Sequence, residues 1–212
     1  MANLSLSLLV LLLSFSLISG MAEPTFVRRT KAPARAYIET SCRGTRYPAL
    51  CVQYLSRFSN STIQNQQELV QVALSASLCR ASYTRSYMLK VAKELQAKKA
   101  KEYQVVKDCL DQINDSVQQL SQSIREIRRM GRQEEAAGGG DIFWHISNVE
   151  TWTSSALSDA SYCVDAFPGR RMSKLKATIK GRVMNVAQAT SNALTLFHRY
   201  AARYRAGAAK KP

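Results

Sequence analysis

Few side chains in this sequence could carry a reaction. Histidine occurs twice, at His145 and His198, so a Ser-His-Asp or Cys-His site would have to use one of them. His145 follows Trp144 at the start of an expected helix, where capping or surface placement is the simpler role. Asp111 and Asp115 stand four residues apart, on one face if the segment is helical. Acid–base catalysis needs such a pair in a cleft that splits its pKa values, and a thin helical bundle offers few clefts. The pair is then either solvated surface or a recognition patch. The sequence has no Gly-rich phosphate loop and no Gly-x-Ser-x-Gly elbow. These residues point away from an enzyme and imply no cofactor.

The five cysteines, Cys42, Cys51, Cys79, Cys109 and Cys163, form no Cys-x-x-Cys motif, and neither histidine is spaced for a metal site. Disulfides are the expected use in an oxidising compartment. Cys42 and Cys51 flank a short segment with Gly44 and the Tyr47–Pro48 pair, so a local turn brings them together. Cys109 and Cys163 are equidistant from residue 136, inside a Glu-Glu-Ala-Ala-Gly-Gly-Gly loop. In an antiparallel helical hairpin such residues lie at one height, and a bridge fits. Cys79 is left over. It keeps step with Leu69, Val72, Ala76 and Tyr83, and is expected as a buried free thiol acting as a small apolar residue.

Helices must hold these positions. No proline occurs between Ala49 and Phe167, which favours long helices. Val106, Leu110, Ile113, Val117, Leu120, Ile124 and Ile127 recur in steps of four and three, one apolar stripe. A weaker stripe runs through Ile142, Ile146, Val149, Thr153, Ala156, Ala160 and Cys163, and ends before Pro168 and Gly169. A third runs through Leu175, Ile179, Val183, Val186, Thr190, Ala193, Phe197 and Tyr200, with Ser173 as N-cap. Residues 63–95 form a more polar helix closed by Lys98, Lys99 and Lys101. The fold class is therefore all-α: an antiparallel up-and-down four-helix bundle over 62–205, preceded by a short helical hairpin over 37–58. Trp144 and Trp152, as large apolar side chains, are expected in the core.

The first 22 residues are uncharged, apolar from Leu4 to Ile18, and end in Gly20 and Ala22. They read as a cleaved secretory signal, too short to span a bilayer comfortably. Residues 23–36, with Pro24 and Pro33, are expected as a flexible leader, and 206–212 as a basic tail. Asn60 and Asn114 head glycosylation sequons. The 212 residues carry a formal charge of +15, a surface that attracts polyanions. No nucleic-acid motif is present, and a bundle hides its apolar stripes from membranes. Outside the cell, the polyanions that such a charge would attract are acidic polysaccharides and anionic membranes.

An ordered set of residues resembles the plant invertase and pectin methylesterase inhibitor family. The first stretch is Ile38 with Cys42, Gly44, Thr45, Tyr47, Pro48 and Cys51; the second is Asp108, Cys109, Asp115 and Leu120. The third runs from Trp144 and Ser147 through Trp152, Ser155 and Leu157 to Cys163, Asp165 and Phe167, and the fourth is Ser191 to Leu194. The resemblance covers nearly all of 36–200. It implies a helical hairpin packed on a four-helix bundle, two disulfides in the pairing above, and a stoichiometric protein inhibitor without cofactor. By position it places partner contacts at Asp111, Asp115, Tyr162 and Asp165. Members act on pectin methylesterase or on acid invertase. Invertase inhibitors often carry Pro-Lys-Phe before the third bundle helix, where this chain has Gly140, Asp141, Ile142, Phe143 and Trp144. The resemblance therefore implies inhibition of pectin methylesterase, with an invertase inhibitor or a non-inhibitory pectin-binding wall protein as alternatives. The chain departs from the family pattern in its added Cys79, in Met184 near an expected last-helix cysteine, and in its basicity.

Overall fold

The apolar stripes meet one another in the computed structural model of the chain. It describes residues 26–58, 63, 65–135, 142–167 and 173–208. The expected signal segment 1–22, Asn60, the glycine-rich loop, Pro168 and Gly169, and the last residues of the tail lie outside these. The chain divides into two units, 1–33 and 34–212. Six helices are described: α1 (Phe26–Cys42), α2 (Pro48–Phe58), α3 (Gln66–Ala97), α4 (Tyr103–Glu135), α5 (Ile142–Asp165) and α6 (Lys174–Ala208).

Each of the four long helices packs on the next, and α6 packs back on α3, closing an up-and-down ring. Every member of the α6 stripe from Ile179 to Tyr200 is fully buried, as are Val106, Ile113, Leu120 and Ile127 of α4. Small residues let the backbones approach: Ala73 and Ala81 of α3 share a core with Ala156 and Ala160 of α5 and Ala193 of α6, and Ala76 of α3 packs with Ala189 of α6 and Tyr54 of α2.

The ends of the helices follow local chemistry. Asn65 caps α3, its side chain accepting from the Glu68 amide at 2.8 Å. At the other end Lys99 adopts φ 48°. The amide of Ala100 then reaches the Leu95 carbonyl, and that of Lys99 reaches Gln96, a Schellman closure made without glycine. Ser173 caps α6 as expected, accepting from the Lys176 amide at 3.3 Å.

The hairpin α1–α2 is held by Cys42–Cys51, with Cα atoms 5.7 Å apart. Helix α2 lies on α3 and α6. The Asn192 side chain of α6 grips the linking loop twice, accepting from the Tyr47 amide and donating to its carbonyl. Arg199 donates to the Ser41 carbonyl at 2.7 Å and covers Gly44 so closely that a Cβ there would overlap its guanidinium. The expected leader differs: α1 begins at Phe26, ahead of Tyr37. Arg28, Arg29, Lys31, Ala32 and Ala34, which flank Pro33, are strong helix formers.

Candidate functional site

Helices α4 and α5 make the most extensive pairing in the bundle. Cys109 and Cys163 bridge them, Cα atoms 4.9 Å apart. A row of buried polar contacts continues from that bridge. Ser116 Oγ donates to the Ala156 carbonyl, Gln119 Nε2 to Ser155 Oγ, and Thr153 Oγ1 to Ser123 Oγ. The row ends at Glu126, which is 1% exposed. Its Oε1 accepts from His145 Nδ1 at 2.6 Å and from Asn148 Nδ2 at 3.2 Å, and its Oε2 accepts from Arg129 at 3.0 Å. Burial alone would push the Glu126 carboxyl up, but these donors outweigh it and hold the group below its ordinary range. The seam is therefore registered by directional bonds as well as by packing.

Outward from the disulfide, the sequence-predicted partner residues gather. Asp111 and Tyr162 line one shallow hollow with Asp108 and Gln112. Tyr162 is 63% exposed, with its ring in solvent. Asp111 is exposed and paired with Lys107 one turn earlier, at 3.2 Å. Such an exposed pair contributes little to stability. Asp115 is exposed on the next turn and raises the carboxyl of Asp159 on α5; burial is the larger cause of that upward shift. Asp165 is exposed at the end of α5 and does not line the hollow. Asn114 is half-buried within α4.

Sequence reasoning missed Asp108, Gln112 and Asp159. The signal was there, since Asp159 stands one turn before Cys163, and Asp108 is next to Cys109. Between Tyr103 and Val117 of α4, and from Ala156 to Asp165 of α5, five carboxylates face one lysine, Lys107. On a chain of +15 this is an acidic island.

Three expectations are corrected. Trp144 is 53% exposed and Trp152 half-buried. Trp144 lies two residues from the inward Ile142 and Ile146, so the helical turn carries it outward. His145, expected at the surface, is buried against Glu126. Cys79 is a free thiol as expected, but exposed rather than buried. Among the described residues no group of three or more His, Cys, Asp and Glu could hold a metal, and no helix is long and apolar enough to cross a membrane.

Residues 36–196 match the model of the plant invertase/pectin methylesterase inhibitor family. The chain belongs to this family. It is similar to Pectinesterase inhibitor 9 of Arabidopsis thaliana, 39% identical over 196 residues, covering 91% of this chain and 92% of that one. It is equally similar, at 39% over 175 residues, to the 21 kDa protein of Daucus carota, covering 82% and 88%. Its fold resembles a crystal structure of a mutant pectin methylesterase inhibitor from Arabidopsis, with a TM-score of 0.58 at 16% identity over 76% of this chain and 95% of that one. The family is one of inhibitor proteins. In this member the three carboxylates and the tyrosine proposed from sequence are held on the two helices that the second disulfide joins.

Proposed function

We propose that this chain is a secreted inhibitor of pectin methylesterase in the plant cell wall, and that it docks through the exposed surface of α4 and α5. The observation that carries this reading is the acidic island around Asp111, Asp115 and Tyr162 on an otherwise basic protein. An enzyme cleft that accepts galacturonan is complementary to carboxylates along a chain. Carboxylates fixed on rigid helices can take those positions and keep the substrate out. Charge pairs of this kind set specificity and on-rate. Tyr162 supplies a rigid aromatic anchor, the residue type enriched at interface hot spots. Further along α5, Phe143 and Trp144 expose two more rings. The disulfide and the polar seam beneath hold these groups in place before contact, which limits the ordering cost of binding. The protein acts as a monomer, one inhibitor to one enzyme.

The test is methanol release from methylated pectin by a plant pectin methylesterase, titrated with residues 23–212, with an acid invertase assay beside it. Saturation near one-to-one that persists in moderate salt is expected. Asp111→Ala with Asp115→Ala, and separately Tyr162→Ala, should each weaken inhibition by about tenfold or more. Unchanged inhibition by variants with intact helicity would remove the α4/α5 face from the interface. Loss of invertase activity alone would reassign the target.

A further inference from the structure

The charge of this protein is sorted by helix. Helix α5 has three acidic residues, Glu150, Asp159 and Asp165, and no Lys or Arg. Helix α6 has seven Lys and Arg and no acidic residue. Its neighbour across the ring from α5 is α3, which carries Arg80, Arg85, Lys90 and Lys93. We infer that the α3/α6 face is a binding surface for an acidic polysaccharide, a polyuronate chain, with Arg80, Tyr83, Tyr87 and Arg182 as its contacts. The inference is independent of the inhibitory face, which lies on the other pair of helices.

Geometry distinguishes this face from a scatter of surface lysines. The Arg182 guanidinium of α6 lies over two rings of α3, 4.2 Å from the centroid of Tyr87 and 5.5 Å from that of Tyr83. Arg80 lies 4.4 Å over the ring of Tyr54, whose hydroxyl reaches Asn185 of α6. Arg80, Tyr83, Tyr87 and Lys90 follow one another at three- and four-residue steps, one stripe about 15 Å long. Arginine and tyrosine therefore alternate along the α3/α6 junction.

Arg80 and Arg182 are held by rings, and neither they nor Arg85 make an ion pair to a described carboxylate. The Nε atoms of Arg85 and Arg182 are buried and lack a hydrogen-bond acceptor. Stacking fixes a guanidinium plane while leaving its N–H edge able to fork onto a carboxylate. Tyr83, 67% exposed, offers a flat ring to the C–H face of a sugar. Carboxylate-forking cations beside the exposed Tyr83 and the half-buried Tyr87 match a polymer with one carboxylate on each pyranose ring. An anionic membrane would require an inserted apolar face, and this stripe ends in hydroxyls and charges.

The test measures binding of residues 23–212 to polygalacturonate by calorimetry at two salt concentrations, with fully methyl-esterified pectin, dextran sulfate and phosphatidylserine vesicles as comparison probes. Arg80→Gln with Arg182→Gln should lower affinity for polygalacturonate about tenfold or more. Tyr83→Ala should lower it several-fold without changing charge. The charge-matched pair Arg125→Gln with Arg128→Gln, exposed on α4, should change it less than twofold beyond the shared salt effect. Inhibition of pectin methylesterase should be unchanged in the Arg80/Arg182 and Tyr83 variants, which lie off the α4/α5 face. Equal losses in the two arginine pairs, or an unaffected Tyr83→Ala, would reduce the face to bulk charge and overturn the inference. So would preference for the vesicles, or equal binding of dextran sulfate with the same dependence on Tyr83.

Discussion

Glu126 offers the sharpest test of how α4 and α5 are held in register. It is a carboxylate 1% exposed that accepts from His145, Asn148 and Arg129. Glu126→Ala removes the acceptor and leaves His145 and Asn148 donors at the seam unmatched. Each such donor costs about 1–3 kcal/mol, and the two together about 2–6 kcal/mol. A loss of about 4 kcal/mol is therefore expected. With a urea slope of about 2 kcal/mol/M, the unfolding midpoint falls by about 2 M. Glu126→Gln keeps an acceptor for His145 and Asn148 but gives up the charge facing Arg129, and should lose about half as much.

The pH dependence has a definite sign. The folded Glu126 carboxyl lies below its ordinary value of 4.5, so the stability it contributes is present above that value and is lost as pH falls through the folded one. The Asp159 carboxyl is shifted the other way, chiefly by burial and also by Asp115, so ionising it costs stability as pH rises past its ordinary 3.8. The difference between the parent protein and Glu126→Gln cancels the Asp159 contribution. That difference, from urea melts of the disulfide-intact protein between pH 7 and 3, should be largest near neutrality and shrink below about 4.5. A Glu126→Gln protein with the parent midpoint at pH 7 and a parallel profile to pH 3 would refute the account of the seam.

Two further outcomes follow from the same structure. Asn192→Ala severs both bonds to Tyr47 and leaves a part-buried amide and carbonyl of the hairpin loop without these partners. A loss of about 2 kcal/mol or more in the urea midpoint is expected, with faster hydrogen exchange confined to the α1–α2 loop. Native protein treated with a chromogenic disulfide reagent should yield one fast-reacting thiol, from the exposed Cys79, and none in Cys79→Ser. A second fast thiol, or none, would contradict the disulfide assignment.

The sequence alone determined the helix count, the order of the long helices and the disulfide partners. The stripes on α4 and α6, and the weaker one on α5, leave one inward face each. The position of residue 136 midway between Cys109 and Cys163 makes their pairing a matter of helical arithmetic. The family resemblance pointed to Asp111, Asp115, Tyr162 and Asp165, and the structure brings Asp111 and Tyr162 to one hollow while Asp165 does not line it. Helix α3 was the hard case. It touches α2, α4 and α6, so its buried set is broad, from Leu69 and Val70 through Ala76 and Ser77 to Met88 and Ala92. A helix buried on several sides has no single stripe, and the step that included Cys79 and Tyr83 selected its outer side. Only tertiary packing could decide that His145 turns in to meet a buried Glu126, nineteen residues back on the facing helix. Only packing could set Arg182 between tyrosines about a hundred residues earlier. Periodicity tells which side of a helix avoids water; which polar groups meet across the junction depends on the height and rotation at which the helices dock.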